Sequence, residues 1–385
     1  MIKIGLRNNL LYPLLLIIFT FSRRILSSII SEKLKFKSSL SFLTLLMFFS
    51  EFIVGLFIYL YQLKFLKSNK KTNAKQSSIN YIVSYNKMSH PDSEFKIFAL
   101  IFIGAYFDFV EFILTSYYFP KFENISKSLN IRLGSALTLS SFILYYYLLK
   151  IQIYNHQKFA IIIISICLLM IIIIEILFNI YYHTINENNF IIILIIISFF
   201  FIGYQDIIVK YLLEYDYINP FQLLMFEGFF GLILSIIYSF IDNPINDIID
   251  YYKKDHNFKF SFIYLLICLI LFIILSGGRN SYRMLTIRLY SPMTKAIADS
   301  FLDPIIILYY FITDIDFKFE SKRNLIYFLL NLILLFISVF SGCVYSELLV
   351  IYHFNLEKDT HYEVAKRAKE VEKIDENIEL NSTIL

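Results

Sequence analysis

The stretch 159-FAIIIISICLLMIIIIEILFNIYY-182 decides the fold class, because it holds a single charged residue, Glu175, within a long apolar run. A second run, 190-FIIILIIISFFFIGYQ-205, follows almost at once. An α-helix rises about 1.5 Å per residue, so about 20 apolar residues cross the hydrocarbon core of a bilayer. Backbone inside lipid must satisfy its own hydrogen bonds, which leaves helices or closed barrels. Barrel strands alternate in polarity, and these runs do not. Composition agrees: of 385 residues, 58% are hydrophobic and 17% charged, against about a quarter charged in soluble domains. The chain reads as an all-α polytopic membrane protein whose first partner is the lipid bilayer.

The same criterion draws ten spans, at roughly 10–30, 40–62, 97–119, 130–149, 158–181, 190–213, 219–240, 260–280, 291–312 and 324–350. The N-terminus, MIKIGLRNNLLYPLLLIIFTFSRRILSSII, has the look of a signal sequence. Arg23 and Arg24 follow its apolar stretch, however, and no small-residue cleavage site is evident, so a first span is expected. Two connections are long: a lysine-rich loop at 64–96 and a mixed-charge loop at 242–258. The charged tail, 355–385, reads as a solvated or partner-binding segment; within it 357–376 has the Glu363–Arg367 spacing of a surface helix.

Lysine and arginine are more numerous in the segments on the side of the two termini, so both termini are expected in the cytoplasm. The sequon Asn124-Ile125-Ser126 then falls in a lumenal or extracellular loop. Tyrosines at 117–118, 145–147, 181–182 and 309–310 fall near span ends, where amphipathic rings prefer the interface.

An internal repeat organises the spans. Leu129-Asn130-Ile131-Arg132-Leu133 recurs as Leu285-Thr286-Ile287-Arg288-Leu289, and at the same offset Ser135 matches Ser291 and Thr138 matches Thr294. Two five-span halves are expected, residues 1–182 with the loop 64–96, and residues 183–354. An odd number of spans per half inverts the second half relative to the first, a recurrent plan of secondary transporters.

Cys167, Cys268 and Cys343 lie inside apolar runs and suggest neither a disulfide framework nor a metal knuckle. No basic folded domain is present to bind nucleic acid. The histidines are scattered, and neither a phosphate loop nor a nucleophile elbow appears, so no catalytic residue, metal or cofactor is expected.

An ionisable group within a span is costly and invites a functional reading. Lys295, after Pro292, reads as the one lysine firmly inside a helix and as a counter-charge for an anionic substrate, with Asp299 beside it as a further substrate-site or proton-coupling residue; pairing of Lys295 with Asp299 at i+4 is the structural alternative. Arg132 and Arg288, at equivalent repeat positions, either guide the anion or snorkel to headgroups. Glu227 precedes Gly228 and Gly231; with Glu175, Asp108 and Glu111 it is a candidate for proton coupling or helix pairing. The small residues near it suit close helix approach. Gly277-Gly278 is expected to break or cap a span. The pair in 299-DSFLD-303 could hold magnesium against a diphosphate, but a matching acidic motif on another helix is missing, and an enzyme is set aside.

The segments 210-KYLLEYDYINPFQLLMFEGFFG-231 and 277-GGRNSYRMLTIRLYSPMTKAIADSFLDP-304 carry a family likeness. A basic residue and a Ser-Pro step stand before the ninth span, and an acidic-glycine pair follows an Asn-Pro start in the seventh. In these features the chain resembles the drug/metabolite transporter superfamily, in its EamA-like and nucleotide-sugar-transporter-like branch. The resemblance implies a ten-helix carrier of a small, often anionic metabolite, such as a nucleotide sugar or sugar phosphate, in an endomembrane (Golgi, ER or vacuole) or the plasma membrane. The alternative is a non-transporting scaffold or receptor acting through the loop 64–96 and the tail.

Overall fold

The computed structural model describes residues 2–4, 11–34, 39–72, 93–114, 129–151, 153–181, 185–242, 258–312 and 322–352, with Leu356, Lys358, Thr360, Glu363 and Arg367 beyond them. Most of them are helical: α1 (Leu11–Leu34), α2 (Ser39–Thr72), α3 (Glu94–Ile113), α4 (Leu129–Arg132), α5 (Ser135–Leu149), α6 (Asn155–Tyr181), α7 (Ile185–Glu214), α8 (Pro220–Asp242), α9 (Phe258–Leu289), α10 (Pro292–Ser300), α11 (Asp303–Ile312) and α12 (Lys322–Tyr345). Strands β1 (Ile2–Ile4) and β2 (Leu349–Ile351) pair antiparallel, with Lys3 opposite Val350. The sequon at Asn124, most of the loops 64–96 and 242–258, and nearly all of the tail lie outside the described residues.

Six helices, α2, α6, α7, α8, α9 and α12, are long and apolar enough to cross a membrane. Within α6 the segment Asn155–Leu177 reaches a mean hydropathy of 3.2. The polarity of the bundle is inverted relative to a soluble protein. Phe57, Ile162, Phe240 and Ile326 lie more than half exposed, while Glu51, Asp206, Glu227 and Lys295 are buried at 0–1% exposure. Charged side chains are seldom fully buried unless paired, and paired charges inside so apolar an exterior fit a lipid surround. This is a multi-pass membrane architecture. The four other expected spans overlap α1, α3, the α4–α5 pair and the α10–α11 pair.

Local sequence explains several boundaries. Ser93 caps α3 by accepting from the Lys96 amide at 3.4 Å. Asn219 accepts from the Phe221 amide at 2.9 Å, and Pro220 opens α8 with the fixed φ that a first turn needs. Ser291 caps α10 through the Thr294 amide at 3.1 Å, again with proline at the first turn.

Gly277 and Gly278 do not end a helix, contrary to expectation, because α9 runs unbroken from Phe258 to Leu289. A Cβ on Gly278 would strike the Phe19 ring, and one on Gly277 would strike the Val54 side chain. The pair admits α1 and α2 to the α9 surface. The α2–α8 contact is closer still: a Cβ on Gly55 would lie 2.6 Å from the Met225 backbone nitrogen, and one on Gly228 would meet the Phe52 and Glu51 backbone. Small residues on α8 thus permit near backbone contact with α2.

The helices pack in a definite pattern. α2 lies on α8, α1 on α9, α3 on α7, α6 on α12, α5 on both α7 and α10, α9 on α2, α3 on α8, and α1 on α10. The break between α4 and α5 at Leu133–Gly134 rests against the break between α10 and α11 at Phe301–Leu302. There Ser300 Oγ donates to the Gly134 carbonyl at 3.4 Å and lies 3.5 Å from Thr138 Oγ1.

Candidate functional site

The middle of the bundle holds a charged core assembled from many helices. Arg23 and Arg24 come from α1, Glu51 from α2, Asp108 from α3, Asp206 from α7 and Glu227 from α8. From α9 come Arg279, Asn280 and Arg283, from α10 Lys295 and Asp299, and from α11 Asp303. Lys295 Nζ lies 2.8 Å from Asp206 Oδ2 and 3.1 Å from Asp299 Oδ2. Arg283 donates to Glu227 Oε2 at 2.8 Å, and its other amino group is 3.9 Å from Asp108. Asn280 donates its amide to Glu51. Arg279 reaches Asp299 at 3.7 Å, and Arg24 reaches Asp303 at 3.4 Å. Arg23 donates to the Met47 thioether at 3.3 Å and meets no carboxylate at ion-pair distance among the described residues.

These contacts polarise the core. On the α1, α10 and α11 side three arginines face Asp299 and Asp303. On the α2, α3 and α8 side Glu51, Asp108 and Glu227 surround Arg283 alone. Lys295 and Asp206 lie between the two sides. Burial makes the arrangement sensitive, since removing one partner of a buried ion pair leaves an uncompensated charge and costs about 3–5 kcal/mol. Among the described residues several polar atoms here have no hydrogen-bond partner, including both ends of the Gln205 amide, Glu51 Oε2 and Arg279 Nε. A core with spare donors and acceptors has groups available to a solute or to water.

A second buried cluster joins α4, α6 and α12. Arg132 Nε donates to Glu175 Oε1 at 2.6 Å, with a second contact to Oε2 at 3.3 Å. Tyr327 donates its hydroxyl to Glu175 Oε1 at 2.6 Å, and the Arg132 guanidinium lies over the Tyr327 ring at 5.4 Å. Elsewhere a cavity of about 310 Å³ opens between the ends of α5, α6, α10 and α12, lined by Tyr145, Tyr154, Tyr290, Ser291, Thr294 and Glu347. Lys295, next after Thr294, belongs to the charged core.

The residues singled out from sequence divide among these places. Lys295 and Asp299 meet in the core, and Asp108 and Glu227 meet through Arg283. Arg132 and Glu175 meet in the second cluster. Arg288 is exposed at the end of α9, and Glu111 is half-buried on α3. Lys295 is not the one lysine held within a helix. Lys210 on α7 is 2% exposed and donates to the carbonyls of Ile287 and Tyr290 at 3.0 and 3.1 Å, with Glu214 at 2.5 Å. It caps the otherwise unpaired carbonyl end of α9.

Sequence reading missed Arg283 because it ended the eighth span at about residue 280 and counted what followed as loop, and it passed over Arg279 and Asn280 because they stood at that expected span end. The signal was present. No proline intervenes before Pro292, and Ser291-Pro292 marks the next helix start, which leaves room for α9 to continue. Among the described residues no group of His, Cys, Asp and Glu is placed to hold a metal ion. A scan of protein-family models gives no match to the chain, and a search of curated proteins finds no similar sequence.

Proposed function

We propose that the chain is a secondary transporter of a small, polar, anionic metabolite, of the nucleotide-sugar or sugar-phosphate type, working by alternating access between two inverted five-span halves. The observation that carries this reading is the charged core. Most of its members are buried within the bundle, with Arg23, Arg24, Asp108 and Arg279 partly exposed at its margin; it draws Arg23, Arg24, Glu51 and Asp108 from the first half and its other members from the second, and it retains unspent hydrogen-bonding groups among the described residues. Ionisable residues in such a position mark substrate or ion pathways.

Three features of the fold support the repeat. β1 precedes the first helix and β2 follows the last, so their pairing brings both ends of the bundle to one face and requires an even number of crossings. Counting α1, α3, α4–α5 and α10–α11 with the six long helices makes ten. Three of the larger helix contacts have counterparts when each span is exchanged for the one five later: α1 on α9 corresponds to α3 on α7, α2 on α9 to α3 on α8, and α5 on α7 to α1 on α10. Both fourth spans are broken, and the breaks touch.

The reading agrees with the resemblance to the drug/metabolite transporter superfamily and carries with it cytoplasmic termini and an endomembrane location. Glu227 and Asp108, on the acidic side of the core, are the groups for proton coupling. The test is uptake of labelled nucleotide sugars and sugar phosphates into proteoliposomes by wild type and Lys295→Ala. Saturable uptake that the substitution abolishes is expected. Folded wild-type protein that takes up none of them would point instead to a scaffold or receptor.

A further inference from the structure

Within that reading, the core itself distinguishes which cation is free to receive the cargo. Lys295 is the obvious counter-charge from sequence, but its ammonium already sits within 3.1 Å of two carboxylates. An anion arriving there would have to displace Asp206 or Asp299, both buried, from its counter-ion, which is costly. Arg283 is likewise engaged by Glu227 at 2.8 Å.

Arg23 differs. A guanidinium carries five N–H donors in a planar fork suited to oxyanions, and among the described residues this one engages only the weak thioether acceptor of Met47. Its cationic neighbours include Arg279 and Arg24. α1 and α9 pack together, with Phe19 against Gly278, so Arg23 lies one turn along from that contact and Arg279 directly beside it. Arg279 donates one amino group to its neighbour Asn280 at 2.9 Å, but its nearest carboxylate, Asp299, stands at 3.7 Å, and its buried Nε has no partner among the described residues.

We infer that the oxyanion of the cargo, a phosphate or a carboxylate, is received between the guanidinium groups of Arg23 on α1 and Arg279 on α9. An anion seated there satisfies Arg23, replaces Asp299 as the partner of Arg279, and leaves Asp299 still paired with Lys295, so no carboxylate loses its last counter-ion. Arg23 comes from the first half and Arg279 from the second, so the bound anion bridges the elements that must move relative to each other. The inference rests on the transporter reading for its purpose but is tested by binding alone.

The experiment measures the melting temperature of the full-length protein in detergent against inorganic phosphate, pyrophosphate and citrate, with chloride at matched ionic strength as reference. Wild type should be stabilised saturably by at least one of the three oxyanions. Arg23→Gln and Arg279→Gln should each raise the half-saturating concentration about tenfold or more, as expected for loss of a charge-assisted contact. Arg23→Lys, which keeps charge but loses the fork, should fall between, and Lys158→Gln, at an exposed position outside the core, should match wild type. If the glutamine variants lack a melting transition, Arg23→Lys carries the test, and a half-saturation equal to wild type would overturn the proposal. So would a wild type that none of the oxyanions stabilises, and if such protein still transported a neutral cargo, only the seat would fall. Stabilisation by micelles containing an anionic phospholipid, without any effect of soluble oxyanions, would assign the arginines to a headgroup and overturn the cargo seat.

Discussion

Lys295 on α10 and Asp206 on α7 form an ion pair of 2.8 Å in which both side chains are at most 1% exposed. The same ammonium holds Asp299 one helical turn away at 3.1 Å. A lysine shared by two carboxylates and shielded from water fixes α7 against α10, and its removal strands Asp206 and leaves Asp299 with only the 3.7 Å contact of Arg279.

Lys295→Ala should therefore be less stable than Asp206→Asn, which leaves Lys295 still paired with Asp299. A loss of about 3–5 kcal/mol is expected for the lysine variant. The double variant Lys295→Met with Asp206→Leu should recover much of it, because a neutral packed pair removes the stranded charge at that site. Denaturation in detergent, followed by intrinsic tyrosine fluorescence, reads the difference; a double variant no better than Lys295→Ala would show that the pair is not the source of the loss.

The second cluster offers a cleaner stability test, since it lies apart from the charged core. Glu175→Gln leaves Arg132, 2% exposed, without its carboxylate. A cost of about 3 kcal/mol or more is expected. Tyr327→Phe removes one hydrogen bond to Glu175 and should cost about 1–2 kcal/mol. Equal losses from the two changes would contradict the geometry.

Gly228 faces the α2 backbone at Glu51 and Phe52, so Gly228→Val must push α2 and α8 apart. Overpacking of this kind costs about 1–3 kcal/mol or more, here with no flexible side chain to yield. Low recovery of monodisperse protein is expected for Gly228→Val. Gly104→Ala, where the nearest atom to a new Cβ stands at 3.5 Å, should be tolerated.

The pairing of Lys3 with Val350 predicts a disulfide between cysteines introduced at those two positions. Oxidation should join fragments cut in the loop between residues 73 and 92. Cys167 and Cys268 are buried, and with the partly exposed Cys343 replaced by serine the background should be low. Absence of the cross-link in folded protein would remove the argument for an even number of crossings.

Much of this architecture was legible before any coordinates. Apolar runs dictate helices in lipid, and their lengths drew spans that α6, α7, α8 and α12 match to within a few residues. Charges inside those runs pointed to Lys295, Asp299, Asp108 and Glu227, all of which meet in one core. What could not be read was who pairs with whom: nothing in the chain order says that Arg132 would find Glu175 and Tyr327, whereas its repeat counterpart Arg288 would be exposed. The arginines of α9 were hidden for a different reason. A hydropathy window ends where polar residues accumulate, and a helix that carries its polar face into the protein looks, in sequence, like a helix that has stopped. Gly277-Gly278 misled in the same way, because glycine reads as a breaker until the ring of Phe19 is known to occupy the missing side chain's place.

The measurement that tests the transporter reading most directly is counterflow. Proteoliposomes carrying the wild-type protein are loaded with an unlabelled nucleotide sugar or sugar phosphate, diluted, and given a trace of the same labelled compound outside. A carrier that alternates access should concentrate the label transiently inside, above its external level, and Lys295→Ala should not. Equilibration without any overshoot for every compound in the panel, from protein shown to be folded, would contradict alternating access and with it the function proposed for the charged core.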